Sequence, residues 1–425
     1  MLTKLKETIS NNKNVFQNLS YLSLLQLFNL LVPLVTYPYL IRVLGAETYG
    51  LVIFAQAVVG YFVIIVNFGF NISATREISI HRNNKERIGE IVSSVFMIKG
   101  ILMIGSIILF SIVLYFIPEG NNNKLLFYLT LYLILYEWLF PTWYFQGIER
   151  MKYITILNLI SRSVFLVLIF VLIKNENDFI FYPVINGIGV IIASLIALII
   201  IFFDHKIELV FPKLNALIYI FKQSIPIFIS NISAKIYASS NKVIIGFFLG
   251  MTEVAYYDLA EKLVNILRLP QGILTQVLFP KISKDRNINF VKKAFKISLV
   301  INILGYLLFL LLLKPIIVFL GGDSMLPAFP VVVILGLTAP LIVVTTVFGT
   351  QLLLPFGYNK EFSIAIISSA IFYFFVIAAI YLSFGFSILN IALATVATII
   401  FESIYLFHYC IKFNLWKINY GKIKK

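Results

Sequence analysis

Six basic residues, Lys99, Arg162, Lys235, Lys242, Lys262 and Arg268, stand well inside long apolar stretches of the sequence. A lysine or arginine at the centre of a membrane helix costs ~2.5–3.5 kcal/mol on insertion scales. Six of them cost on the order of 15 kcal/mol unless they face water, a partner or a ligand. They are not scattered around their helices. Asn231, Lys235, Ala238, Ser239 and Lys242 fall within an arc of ~100° at the helical period. Asp258, Glu261, Lys262, Asn265 and Arg268 share an arc of ~120° on the next helix, with cation and anion interleaved. Gln26, Asn29, Pro33 and Thr36 form a third polar stripe, and Asn158 with Arg162, four apart, a fourth. Basic side chains among amides and hydroxyls suit a phosphate or pyrophosphate, which arginine chelates and lysine meets as a point charge. An exporter of organic cations is expected to show uncompensated carboxylates instead, and residues 15–46 contain none.

Each charge also has a local explanation. Asp258 and Lys262 at i,i+4 can neutralise one another without a ligand, and Lys242 is near enough to a helix end to reach water along its own stem. Lys235, Lys262 and Arg268 lie too deep for that route. Glu137 and Glu402 are lone carboxylates inside apolar stretches; the sequence leaves open whether they are protonated, paired or part of a proton path. Other chemistries find little support. Cys410 is the single cysteine, the three histidines (His81, His205, His408) are far apart, and no metal-ligand spacing exists. A phosphate-binding G-x-x-x-x-G-K-[ST] loop is absent, so ATP hydrolysis within the chain is not expected.

The elements that must position these residues are membrane helices. The chain is 60% hydrophobic with a mean hydropathy of +0.96, outside the range of a soluble domain. Twelve apolar segments are read at 16–41, 49–70, 88–117, 125–147, 153–173, 179–203, 217–249, 253–279, 291–320, 328–354, 362–384 and 386–411. Each is long enough for a bilayer core of ~30 Å, which needs ~20 helical residues. Threaded from an inside N-terminus, they leave Arg42, Lys124, Lys174 and Lys314 outside and most other lysines and arginines inside, the orientation the positive-inside rule selects. Both termini are therefore expected in the cytoplasm, and the first helix is expected to be retained. The net charge of +15 is read as topology anchors beside anionic membrane lipid rather than as a nucleic-acid surface. Outward loops are short (Gly45–Thr48, Pro118–Lys124, Lys174–Asp178, Gly250, Gly321–Pro327, Gly385), which leaves no room for an extracytoplasmic catalytic domain.

The expected fold is an all-α polytopic membrane protein of about twelve helices in two six-helix lobes around a central cavity. The N-terminal lobe is read at 1–203, a cytoplasmic linker at 204–216, and the C-terminal lobe with a short basic tail at 217–425. A weak internal repeat aligns Leu44-Gly45 with Leu249-Gly250 and Ala55 with Ala260. Six helices per half makes the repeat parallel, and alternating access fits that arrangement. Among the prolines within spans, Pro33 and Pro270 are the hinge candidates because polar residues lie close by, although membrane helices tolerate proline generally.

Two stretches resemble a known family. Tyr37-Pro-Tyr-Leu-Ile-Arg-Val-Leu-Gly-Ala-Glu-Thr-Tyr-Gly50 is similar to the first outer turn of Wzx-type oligosaccharide flippases of the multidrug/oligosaccharidyl-lipid/polysaccharide exporter superfamily. Asn241-Lys-Val-Ile-Ile-Gly-Phe-Phe-Leu-Gly250 resembles the end of their seventh helix, with Tyr256, Ala260-Glu-Lys-Leu263, Leu269-Pro270 and Pro280-Lys-Ile-Ser283 continuing into the eighth. The resemblance implies translocation of undecaprenyl-pyrophosphate-type oligosaccharide repeat units in a bacterial cytoplasmic membrane, with polysaccharide polymerases as partners. In related lipid II flippases cationic cavity residues, one an eighth-helix arginine, engage the pyrophosphate; Arg268 matches by position. The expected pyrophosphate and glycan contacts are thus Arg268, Lys262, Lys235, Arg162, Lys242, Lys99, Asn231, Asn265, Gln26 and Asn29. Where family members often carry Asp, this chain has Asn241, which directs attention to Asp258 and Glu261 as coupling carboxylates for a proton or sodium gradient. No cofactor, metal or enzymatic activity is expected. A cation-coupled drug exporter and a polytopic glycan polymerase or glycosyltransferase are the rival readings.

Overall fold

The computed structural model describes residues 13–416, with the side chains at 13–16, 19, 22, 230, 231 and 233–238 excepted. The described chain is helical, without strands. It divides into two compact units, Met1–Ile232 and Ser233–Lys425. Among the described residues, nine helical stretches are long and apolar enough to cross a membrane, and large apolar side chains such as Leu311, Leu382 and Phe384 are more than three-quarters exposed. A surface of that kind belongs in lipid. The chain is a multi-pass membrane protein.

Unit 1 begins with α1, Lys13–Asn67, which folds back at Gly45 (φ 74, ψ 166) and otherwise runs helically through Pro33 and Pro38. It continues with α2 (Phe70–Ile80) and α3 (Lys85–Tyr115), then the short helices α4 (Lys124–Thr130), α5 (Tyr132–Leu139) and α6 (Thr142–Gly147). The last pair is α7 (Met151–Leu172) and α8 (Phe181–Ile199). These two helices approach so closely that a Cβ on Gly189 would lie 2.7 Å from the Ser161 carbonyl oxygen. Trp143, Phe145, Phe140 and Ile154 centre the core.

The 35-residue helix α9, Leu214–Phe248, is shared between the two units. Its first half belongs to unit 1 for a packing reason. Phe68 stacks on Phe221 and Phe228 at 4.6 and 4.5 Å, Ile220 is buried in the same core, and the Ser73 and Ser224 hydroxyls meet at 2.7 Å. The segment leading into α9 is strapped onto α3. Lys85 Nζ donates to the His205 carbonyl at 3.1 Å, the Val210 amide donates to Ser93 Oγ at 3.0 Å, and Gly89 admits the Glu208 carbonyl where a Cβ would sit 2.7 Å away.

Unit 2 comprises the rest of α9, then α10 (Met251–Asp285), α11 (Ile288–Gly321), α12 (Phe329–Gly336) and α13 (Thr338–Thr345). A π-helical turn, Thr346–Leu353, leads to α14 (Asn359–Phe384) and α15 (Ile388–Lys412). Leu352, Leu353, Ala365, Leu406 and Cys410 fill its core. Gly250, between α9 and α10, has φ 115 and ψ 175. Like Gly45 it occupies a region open essentially only to glycine, so the two turns aligned by the sequence repeat share one backbone solution.

Candidate functional site

The turn at Gly250 sets α9 against α10, and the polar stripes of both helices then meet. Lys242 and Asp258, sixteen residues apart, face each other across the hairpin, with Lys242 Nζ donating to Asp258 Oδ1 at 2.7 Å. Lys242 also pairs with Glu261 at 2.8 Å. The other Asp258 oxygen accepts from Lys262, one turn further along α10. Asp258 is buried at 3% exposure between two ammonium groups. The i,i+4 pair anticipated between Asp258 and Lys262 is therefore present, and it is part of a larger network. A carboxylate held by two cations tolerates burial that a lone one would not.

Two turns beyond, Arg268 donates through Nη2 to Thr338 on α13 and through Nη1 to Asn265 at 3.5 Å. A second group closes the opposite side. Tyr373 of α14 donates to Asn241 Oδ1 at 2.6 Å, and Asn241 Nδ2 donates to Thr395 of α15 at 3.1 Å. Between these groups unit 2 encloses a cavity of about 380 Å³, lined by Arg268, Glu261, Asn265, Tyr257, Thr395 and Glu402 among others. Its size lies within the ~300–1,000 Å³ of small-ligand sites. Among the described residues Arg268 is the cation that reaches it, with hydroxyl and amide groups at its sides. Such a lining can chelate an anionic oxygen cluster by charge-assisted hydrogen bonds.

Sequence-expected residues fall into three groups. Arg268, Asn265 and Glu261 line this cavity, while Lys242, Lys262 and Asp258 form the ion network beside it. Lys99, Arg162, Gln26 and Asn29 belong to unit 1. There Lys99, 1% exposed, donates to Glu137 at 2.8 Å, and Asn67 donates to the same carboxylate oxygen at 2.8 Å. Arg162 is half-buried near Tyr132 and Tyr136; Tyr136 donates to Asn158 at 3.1 Å, and Gln56 to Tyr132 at 3.3 Å. Gln26 is half-buried and Asn29 exposed on α1. The side chains of Lys235 and Asn231 lie outside the described residues. Sequence reasoning missed Thr338, Tyr373 and Thr395. Threonine and tyrosine are ordinary within membrane helices, and only the fold brings these three to the charged helices. No group of three metal-ligating side chains occurs among the described residues.

The fold is that of known exporters and flippases. The inward closed lipid II flippase MurJ superposes with a TM-score of 0.74 at 18% identity over 92% of this chain and 87% of its own. An inward-facing MATE-family multidrug resistance transporter of the MOP superfamily gives 0.73 at 13% identity over 90% and 94%. By sequence, a chain of Escherichia coli (strain K12) named "Putative O-antigen transporter" is 29% identical over 368 residues, 85% of this chain and 89% of that one. A like-named chain of Shigella dysenteriae is 29% identical over 308 residues, 72% and 75% of the two. These relatives are named transporters and flippases, not enzymes. The model of the family described as polysaccharide biosynthesis protein matches residues 15–286, both charged helices included, and the chain belongs to that family.

Proposed function

We propose that this protein is a flippase that moves polyprenyl-pyrophosphate-linked oligosaccharide repeat units from the cytoplasmic to the outer leaflet by alternating access, for assembly of a cell-surface polysaccharide. The observation that carries the reading is a cavity inside a membrane unit whose cation, Arg268, is fixed by Thr338 and Asn265 and backed by the Lys242–Asp258–Lys262 network. Membership of a polysaccharide biosynthesis family and two relatives named for O-antigen transport supply the cargo class.

In this account Arg268 forks onto a phosphate, and Lys262 and Lys242 set the positive field while Asp258 and Glu261 hold them in place. Asn265 orients Arg268. Lys235, Asn231, Arg162, Gln26 and Asn29 are further contacts for pyrophosphate and sugar, and Lys99 holds unit 1 together through Glu137. Twelve helices span the cytoplasmic membrane of a bacterium with both termini inside, Pro33 and Pro270 serve as hinges, and an ion gradient rather than a cofactor drives the cycle. The polyprenyl tail stays among membrane lipids, and a polysaccharide polymerase receives the product.

Deleting the gene in its native host and extracting polyprenyl-linked glycans, with surface labelling to report the leaflet, tests the reading. Complete lipid-linked repeat units accumulating on the inner leaflet, with surface polymer lost, are expected. Normal intermediates accompanied by new drug sensitivity would show a drug exporter instead, and an unpolymerised glycan already displayed outside would show an enzyme.

A further inference from the structure

Three of the carboxylates set well inside the membrane helices have cations. Glu137 accepts from Lys99, Asp258 from Lys242 and Lys262, and Glu261 from Lys242. Glu402 has no hydrogen bond or ion pair among the described residues, yet it lines the same cavity as Arg268. It sits near the middle of α15, a span of 25 residues, away from either end.

Its surroundings narrow what it can do. From α10 the groups at the cavity are Arg268, Glu261 and Tyr257; from α9, Ser239 and Asn241, with Lys242 engaged behind Glu261 and Tyr373 of α14 bonded to Asn241. Residues 329–353, which form α12, α13 and the π-helical turn packed on α15, contain no titratable side chain. On α15 itself Tyr405, His408 and Tyr409 lie one to two turns further on. Among the described residues, Arg268 is the cation that lines the same cavity as Glu402, and the side chain of Lys235 on α9 lies outside the described residues. An anionic ligand that engages Arg268 takes that cation away and brings like charge to the same space. Two such charges in one confined site disfavour double ionisation. Glu261 keeps Lys242 under these conditions, and Glu402 has no substitute among the described residues.

We propose that Glu402 is the proton-carrying group of the site: ionised in the empty cavity it shares with Arg268, it takes one proton from solvent when a pyrophosphate end enters. The inference rests on the reading of this cavity as the pyrophosphate site. It couples cargo binding to proton uptake and lowers the net charge of the loaded site. Bond changes are confined to one proton moving from water onto a carboxylate oxygen and back.

The test uses the full protein in lipid nanodiscs with farnesyl pyrophosphate as the probe. Infrared difference spectra of the wild type should show a protonated-carboxyl carbonyl band appearing on binding. A weakly buffered solution should show about one more proton taken up per probe bound by the wild type than by Glu402→Gln. Affinity of the wild type should fall with rising pH by up to about tenfold per unit relative to Glu402→Gln, and Glu402→Asp should restore the difference. Binding without a new band, or uptake unchanged in Glu402→Gln, would overturn the assignment of Glu402. A wild type that fails to bind the probe would overturn the pyrophosphate site itself. The spectrum of the wild type decides the question even where the glutamine variant does not fold.

Discussion

Both units bury a lysine–carboxylate pair inside the membrane, and the two pairs are built differently. In unit 1, Lys99 and Glu137 satisfy each other, with Asn67 on the same oxygen and the Trp138 indole donating close by to the Phe96 carbonyl at 3.1 Å. In unit 2, Lys242 is shared by Asp258 and Glu261, Asp258 is shared by two lysines, and the network borders a cavity with an arginine in its wall. The first arrangement is complete without a ligand. The second borders a cavity lined by Arg268, Glu261 and Glu402. A charge deep in a membrane is therefore evidence of a site when its network borders a cavity.

The comparison is broken most forcefully by removing one partner at a time. Glu137→Ala should destabilise unit 1 by ~3–5 kcal/mol, because it strands a buried lysine, whereas Lys99→Met with Glu137→Leu should recover most of that loss and keep transport. The matching exchange in unit 2, Lys242→Met with Asp258→Leu, should abolish surface glycan even where thermal unfolding shows a folded protein. Transport lost equally in both double variants would erase the distinction between the two pairs.

A smaller effect sharpens it at the strap that leads into α9. The Tyr144 hydroxyl and His205 Nδ1 meet at 2.8 Å, and the Tyr153 ring packs edge-on against the imidazole. Burial holds His205 below its ordinary value; Arg150 and Lys85 add to that shift, and Asp204 opposes it. The folded state thus favours neutral imidazole. Its contribution is present above the unfolded value of ~6.5 and is lost as pH falls through the lower folded value. Amide exchange across residues 205–213, corrected for intrinsic rates, should speed up modestly below about pH 6 in the wild type. Exchange on the unit 2 helices should be unaffected, and His205→Gln should remove the pH dependence. The strap exchanging identically at pH 5 and pH 8 would dissociate His205 from its hold.

Much of this was legible in the residues. The helical period placed Asp258, Glu261, Lys262, Asn265 and Arg268 on one face, and the fold puts that face against Lys242 across Gly250. The turns at Gly45 and Gly250 were readable because an abrupt reversal between two apolar runs needs a residue free to adopt their backbone conformation. What the period cannot supply is the distance between helices far apart in sequence. Lys99 and Glu137 are 38 residues apart, and each looks like a lone intramembrane charge until α3 and α5 bring them together. Thr338, Tyr373 and Thr395 carry no sequence signal at all, since their role comes from which helix they face. The loop 204–216 reads as a linker by composition, while the boundary between compact units falls at Ile232 and Ser233 because aromatic stacking on Phe68 holds the first half of α9.

The most direct measurement is the affinity of the purified protein for farnesyl pyrophosphate, compared between Arg268→Ala and the unit 1 double variant Lys99→Met with Glu137→Leu. A charge-assisted hydrogen bond is worth ~1.5–3 kcal/mol, so Arg268→Ala should weaken binding by ~10- to 100-fold while the unit 1 variant binds as the wild type does. Wild-type affinity in Arg268→Ala, or an equal loss in both, would contradict the account.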